Sequence, residues 1–378
     1  MNLENIREEI DAVDHTLLQA FIKRMELSQE VAAYKAANNL PTYSKERERN
    51  ILARVADEAG AYGSYARILY HTLFELSKSH QRQLRAEATD LTQKILTATQ
   101  STPVLFPEEG LIACQGVEGA YSMQAAEKLF PKGNIMYFKT FENVCAAVEQ
   151  GLCRYGVLPV ENSIHGTVNE VYDLMHAHQF HIVRSTKLQI RHALLAKEGV
   201  SFDDIKTVYS HPQALGQCSK FLESQPQIKA VPVENTAVSA KQVAERDCKD
   251  AAAIASTNCA SLYDLRVLRE NIENAAYNET RFICIAKEPE IYPGANRISI
   301  LLSLPHAPGS LYTLISKFYA LGINLTKLES RPIPGSDFSF RFYFDFDASV
   351  LSEEIVALLN ELASLYEDFS FLGNYAEV

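Results

Sequence analysis

From Leu3 to Tyr34 the apolar residues step alternately by three and four: Leu3, Ile6, Ile10, Val13, Leu17, Ala20, then Leu27, Val31 and Tyr34. Such a run specifies one long helix that packs along its whole length against other helices. A single charge interrupts it. Arg24 occupies a seam position, and a guanidinium cannot shed its proton and is costly to bury without an anionic partner. Lys35 lies eleven residues on, within roughly 20° of Arg24 around a helix turning about 100° per residue. Taken alone, Arg24 reads as a side chain that snorkels outward or pairs with a buried carboxylate. Groups of matching chemistry elsewhere favour a site.

A chain of 378 residues implies two or three domains, and its 47% apolar and 22% charged content is that of a soluble globular protein. No apolar run reaches the length of a membrane span, and the N-terminus lacks a signal-peptide core, which points to the cytoplasm. The seven cysteines are scattered without a CxxC pair and read as reduced packing residues. Net charge is −11; residues 1–100 hold 13 Lys/Arg against 14 Asp/Glu, which leaves −10 for the rest. That balance speaks against nucleic acid, so small anions would have to be met by local cationic clusters.

Three regions follow one another. Residues 1–100 carry helical periodicity over Leu3 to Ala37, Lys45–Ala59 and Tyr65 to Thr97, with breaks at 38–41 and around Gly60 and Gly63. Three helices in so small a unit bury their stripes best as an interlocked dimer. Residues 110–287 alternate short strands with helices: Leu111–Val117, a helix from Tyr121, Ile135–Lys139, a helix from Phe141 and Tyr155–Val160. After an extended stretch, His181–Ala196, come Thr207–Ser210, a helix from Gln213, Ala230–Val233, a helix from Ala237 and Ala251–Ala255. This is a two-lobed α/β unit, whose ligand belongs in the interlobe cleft. Residues 297–375 give the order βαββαβ of a ferredoxin-like α+β unit.

In the helical region Arg7 follows the seam residue Ile6 but is turned roughly 100° from Arg24, so it suits a site completed by a partner chain. Arg47 and Glu48 open the second helix after Ser44, a candidate N-cap. Ser77 and Gln81, one turn apart, interrupt the stripe of the third. Together they suit a pocket for a dianion bearing hydroxyl and ether oxygens. This set resembles that of the all-helical chorismate mutases. In that family chorismate rearranges to prephenate by a pericyclic shift that needs no cofactor, so binding the reactive conformer and stabilising charge on the ether oxygen suffice. By resemblance, Arg24 and the other subunit's copy of Arg7 grip the two carboxylates. Lys35 and Gln81 donate to the ether oxygen, Glu48 takes the ring hydroxyl, and Arg47 and Ser77 support them. Ser44 stands where aspartate is frequent.

In the α/β region the segments 116–122, 159–163, 210–213 and 280–282 fall at strand ends and loops, where such folds place ligand groups. The first offers backbone N–H groups to an anion. Together they resemble prephenate dehydratases, whose Thr-Arg-Phe motif matches Thr280-Arg281-Phe282. The reaction expels carbon dioxide and water from prephenate to give phenylpyruvate, and the enzyme assists departure of the ring hydroxyl. The resemblance places Thr280 near that hydroxyl and makes Arg281 a carboxylate anchor beside Phe282. Glu161, Asn162 and Gln217 shape the cleft, with Ser163, Ser210 and His211 as further candidates. Ala120 lacks the hydroxyl frequent in the first loop. His176, His178 and His181 have no Cys or carboxylate spaced to complete a metal site and read as solvated or capping residues.

The last region resembles the ACT regulatory domain through Gly309-Ser310-Leu311, Asn324-Leu325 and Glu329-Ser330-Arg331. The resemblance implies L-phenylalanine as effector, bound between paired domains; Ser310 stands where alanine is frequent. The whole chain thus resembles bifunctional chorismate mutase–prephenate dehydratases, homodimeric or larger, with neither metal nor cofactor. Two other readings fit in part: a non-enzymatic amino-acid sensor, and a dehydratase whose helices only dimerise.

Overall fold

The seam beginning at Leu3 forms one uninterrupted helix, α1 (Leu3–Ala37). The computed structural model describes residues 2–38, 45–83, 89–275, 277–333, 339–366 and 368–378. α2 (Lys45–Glu58) stops before Gly60, whose φ of +51° is the left-handed conformation that commonly ends a helix. α3 (Gly63–Gln83) starts at a glycine because a Cβ there would lie 2.5 Å from the Ala56 carbonyl oxygen. The third helix does not run on to Thr97. A separate α4 (Asp90–Ser101) follows, and the Thr89 hydroxyl caps it by accepting from Thr92 N at 3.2 Å.

The α/β region begins with β1 (Leu111–Gln115), α5 (Tyr121–Leu129), β2 (Asn134–Phe138), α6 (Phe141–Glu149) and β3 (Tyr155–Asn162). β4 (Gly166–Thr167), α7 (Asn169–His178) and β5 (His181–Gln189) follow. The chain then builds a second lobe from β6 (Ala193–Lys197), β7 (Thr207–Ser210), α8 (Pro212–Gln217), α9 (Ser219–Glu223) and β8 (Lys229–Pro232). It completes that lobe with α10 (Thr236–Glu245), β9 (Ala251–Ala255), α11 (Asn258–Leu262) and β10 (Leu265–Arg269), then returns to the first lobe as β11 (Glu279–Ala286). The first sheet has the order β2-β1-β3-β11-β5 with β4 beside β3, and the second β10-β6-β9-β7-β8. Alanine and branched residues fill β9, which is buried along its whole length, as suits a strand covered on both faces. β10 has no counterpart in the sequence reading.

β12 (Arg297–Ser303), α12 (Ser310–Ala320), β13 (Leu325–Pro332), β14 (Phe340–Asp347), α13 (Glu353–Leu365) and β15 (Ser370–Tyr375) follow in the expected βαββαβ order. Their sheet runs β13-β14-β12-β15, antiparallel throughout. The chain divides into two units. The first holds Met1–Thr92 with Ala307–Lys317 and Val356–Leu365; the second holds the rest, both lobes and the third sheet included. Within the first, the Lys317 ammonium pairs with Glu361 at 2.8 Å. Within the second, Leu301, Tyr343, Leu372 and Tyr375 of the third sheet join the core that α6 and α7 form on the first. The last residues cover the edge of β5, with Ser185 N donating to Ala376 O at 3.0 Å and Val378 N to Ser185 O at 2.9 Å. Six of the seven cysteines are buried and all are free thiols. Among the described residues no helix is long and apolar enough to cross a membrane.

Candidate active sites

In the helical unit α1 and α3 run in the same sense, so residues a turn apart on one meet residues a turn apart on the other. Arg24 Nη1 donates to Ser77 Oγ at 2.6 Å and to the Leu73 carbonyl at 3.2 Å. One turn on, Gln81 Nε2 donates to Ser28 Oγ at 2.5 Å and Ser28 O at 3.2 Å. The Arg24 guanidinium lies 5.4 Å from the Phe74 ring centre, and burial pulls its pKa down against the opposing pull of Tyr70 and Glu48. Glu48 Oε1 is 3.5 Å from Lys78 Nζ, which also pairs with Glu75. Lys35 is half-buried in the last turn of α1, and Arg47 is exposed at the start of α2. Arg7 is exposed too; its seventeen-residue separation from Arg24 amounts to about 25 Å of helix, out of reach of a ligand gripped by Arg24 in the same chain. Ser44 lies outside the described residues.

A cleft of about 380 Å³ opens between the two α/β lobes. Thr280, Phe282, Asn162, Gln217 and His211 line it, joined by His192, Tyr121, Ser122 and Asn235. Its floor comes from the β3–β11 pair, where Thr280 is the register partner of Asn162. The Asn162 Nδ2 group donates to Thr280 Oγ1 at 2.9 Å and to Asn278 Oδ1 at 2.8 Å, while its Oδ1 accepts from His165 N at 2.9 Å and Ile164 N at 3.0 Å. With an acceptor position of the threonine oxygen filled, its own proton is free to point at a ligand. The register shifts opposite Arg281 and Phe282, a bulge that turns Pro159 as well as Asn162 toward the cleft.

Gln217 joins two histidines. Its Oε1 is 2.7 Å from His192 Nε2 and its Nε2 is 3.1 Å from His165 Nδ1. His192, only 2% exposed, is a lining group that the sequence did not single out, since a lone histidine in an extended stretch carries no pattern. Burial lowers its pKa, against the Gln217 bond and Glu273, and burial lowers that of His211 as well. Two helices of at least nine residues begin at the cleft: α5 after Ala120, whose side chain cannot cap it, and α10 after Asn235, whose Oδ1 accepts from Ala237 N at 2.8 Å. Helix N-termini favour anions, and among the described residues neither Lys nor Arg lines the cleft.

Several expected cleft groups lie elsewhere. Arg281 faces away, because alternation along a strand sends it opposite to Thr280 and Phe282. Its guanidinium pairs with Asp345 Oδ2 at 2.6 Å. Glu161 turns the same way and pairs with Lys327 at 2.9 Å. The Ser210 hydroxyl donates to Ile254 O at 2.6 Å, fully buried, and the Ser163 hydroxyl accepts from Glu279 N at 2.9 Å. His178 spends both ring nitrogens on Glu142 and Glu149. Among the motif residues of the third region, Gly309 has φ +85°, Ser310 and Leu311 open α12, and Ser330 is exposed. Asn324 Nδ2 donates to Asp347 at 3.1 Å and Leu325 opens β13, where Glu329 accepts from Thr167 and Arg331 pairs with Asp173.

Residues 6–82 match the family model for chorismate mutase type II, and residues 112–290 that for prephenate dehydratase. The bifunctional chorismate mutase/prephenate dehydratase of Escherichia coli is 32% identical over 378 residues, covering 98% of this chain and 95% of that one. The arogenate dehydratase/prephenate dehydratase 2 of Arabidopsis thaliana is 40% identical over 302 residues, 76% of this chain and 79% of the relative. Among solved structures, the prephenate dehydratase of Arthrobacter aurescens in complex with L-Phe superimposes with a TM-score of 0.65 at 28% identity, covering 70% of this chain and 90% of that one. With both family models matched on one polypeptide and likeness along nearly its full length, the chain belongs to the bifunctional chorismate mutase/prephenate dehydratase family.

Proposed function

We propose that the helical unit rearranges chorismate to prephenate, that the interlobe cleft converts prephenate to phenylpyruvate with loss of carbon dioxide and water, and that L-phenylalanine restrains the second step. In the first site Arg24 grips a carboxylate, Gln81 and Lys35 donate to the ether oxygen as charge builds on it, and Glu48 receives the ring hydroxyl with Arg47 and Ser77 in support. Arg7 completes the site from a second copy. That copy covers the α1 seam, whose Leu3, Ile10, Val13 and Leu17 are all more than half exposed in the single chain. The whole works as a homodimer or larger homo-oligomer in the cytoplasm.

In the cleft the Thr280 hydroxyl donates to the departing ring hydroxyl. The observation that carries this reading is the Asn162 amide on the Thr280 oxygen, which leaves the threonine proton for the ligand. The helix N-termini of α5 and α10 receive the carboxylates, and Gln217 with His211 and Phe282 shapes the remaining wall. Residues 297–375 form an ACT domain that reads phenylalanine through Gly309-Ser310-Leu311, Asn324-Leu325 and Glu329-Ser330-Arg331. The test is to supply chorismate and follow prephenate and phenylpyruvate with and without phenylalanine. Thr280→Ala should abolish phenylpyruvate while prephenate still accumulates; an unchanged phenylpyruvate rate would remove Thr280 from the reaction.

A further inference from the structure

The β3–β11 pair has two faces with different duties. Asn162 and Thr280 occupy the cleft face, and the next register pair, Glu161 and Arg281, occupies the other. On that second face Arg281 is 7% exposed; Nη1 donates to Asp345 Oδ2 at 2.6 Å and Nη2 to the Tyr375 hydroxyl at 2.6 Å. The other oxygen of Asp345 accepts from Ser299 Oγ at 2.6 Å, and Glu377 Oε2 lies 3.3 Å from Arg281 Nε. Two strands of the C-terminal sheet thus reach the one side chain that follows Thr280, β14 through Asp345 and β15 through Tyr375, and β12 braces both partners through Ser299.

A matching link holds β3. Lys327 Nζ on β13 meets Glu161 Oε1 at 2.9 Å and donates to Thr167 Oγ1 at 3.0 Å, and that hydroxyl donates to Glu329 Oε2 at 2.9 Å. Neither Arg281 nor Glu161 lines the cleft.

We infer that Arg281 and Glu161 are positioning residues for the dehydration: through Asp345 and Lys327 the C-terminal sheet fixes the placement of Thr280 and Asn162, and neither residue touches the substrate. The inference rests on the reading of Thr280 given above. A buried guanidinium with two short partners on a neighbouring sheet tolerates little sliding, and a misplacement of about 1 Å at reacting groups costs on the order of 100-fold in rate. The arrangement also gives the effector strand a grip on the chemistry, because Glu329 and Lys327 share the Thr167 hydroxyl.

The experiment is steady-state dehydration of prephenate by the full chain and by Asp345→Asn, Arg281→Gln, Arg281→Lys and the double variant D345N/R281Q. The mutase rate and melting curve of each preparation report folding. Asp345→Asn and Arg281→Gln should each lower kcat by about 30- to 100-fold with KM within about twofold. Arg281→Lys should recover part of the loss, since an ammonium still pairs with Asp345. The double variant should be no slower than the worse single one. Glu161→Gln, at a half-exposed position that folds readily, should lower kcat by about three- to tenfold at constant KM. A tenfold rise in KM with kcat kept in Arg281→Gln would make that residue a substrate anchor and overturn the inference, as would a wild-type kcat in Asp345→Asn or Glu161→Gln. A wild-type chain inert toward prephenate would instead sink the functional reading, so the two failures are separable.

Discussion

Asn162→Asp reverses one polarity in the cleft while keeping the side chain's shape, which makes it the sharpest test of the threonine's role. In the native protein the Asn162 Nδ2 faces three acceptors, Asn278 Oδ1 at 2.8 Å, Thr280 Oγ1 at 2.9 Å and Glu279 O at 3.2 Å. An aspartate puts an oxygen there and keeps the acceptor for Ile164 N and His165 N. The loss at Asn278 is recoverable: its Nδ2 has no partner, so a flip of that amide presents a donor to the new oxygen. The Glu279 carbonyl is left facing the new carboxylate, which is itself buried, so stability should drop by about 3 kcal/mol. The loss at Thr280 is not recoverable, because the hydroxyl now donates to the carboxylate and its proton leaves the ligand. Removing one such donor costs about 100- to 1,000-fold in kcat, or roughly 2.7–4 kcal/mol of barrier. Phenylpyruvate formation from prephenate measures it, with mutase turnover of the same sample as the folding control. Asn162→Ala, which breaks the bonds without capturing the proton, should be less impaired than Asn162→Asp. An aspartate variant within threefold of wild type, or faster than the alanine variant, would refute the reasoning.

Gln81→Ala should lower the mutase kcat by about 100-fold with a small change in KM, since the amide acts chiefly on the transition state; an effect confined to KM would remove it from that role. Ile10→Asp combined with Leu17→Asp places carboxylates on the exposed seam of α1 and should yield monomers by sedimentation with mutase activity lost, whereas an unaltered mass would mean the seam is not an interface. Burial holds His181 and His192 below the ordinary histidine value of 6.5, so each binds its proton less readily in the fold than in the unfolded chain, and unfolding below that pH takes up protons. Their contribution to stability is complete above about pH 6.5 and declines as pH falls, by up to about 1.4 kcal/mol per pH unit for each histidine. Urea midpoints should drop between pH 7.5 and 5.5, less steeply in His181→Gln; a flat profile would contradict the burial argument.

A helix repeats its face every three or four residues, so Arg24, Ser77 and Gln81 each stand out as breaks in an apolar stripe, and α1 and α3 bring them within one turn of one another. The same physics explains the misreading of Arg281. As one cleft motif Thr280-Arg281-Phe282 would need three successive side chains on one side, which a strand of period two cannot supply. Glu161 beside Asn162 carries the same lesson. The start of α4 carries neither Gly nor Pro in the sequence before it; the Thr89 hydroxyl caps it. His192 was invisible for another reason, since only the fold brings it against Gln217. The element order from β12 to β15 is legible in the sequence, with apolar runs of strand length alternating with helical spacing.

The order β2-β1-β3-β11-β5 means that the strand bearing Thr280 is made last and placed in the middle. On a ribosome β3 and β5 emerge with a gap between them that waits for about ninety further residues, among them the entire second lobe. Nascent chains that stop before Glu279 therefore hold two unsatisfied inner edges and no reactive threonine. Chaperone demand should peak at that length, and synthesis cut short there leaves a sticky fragment without dehydratase activity.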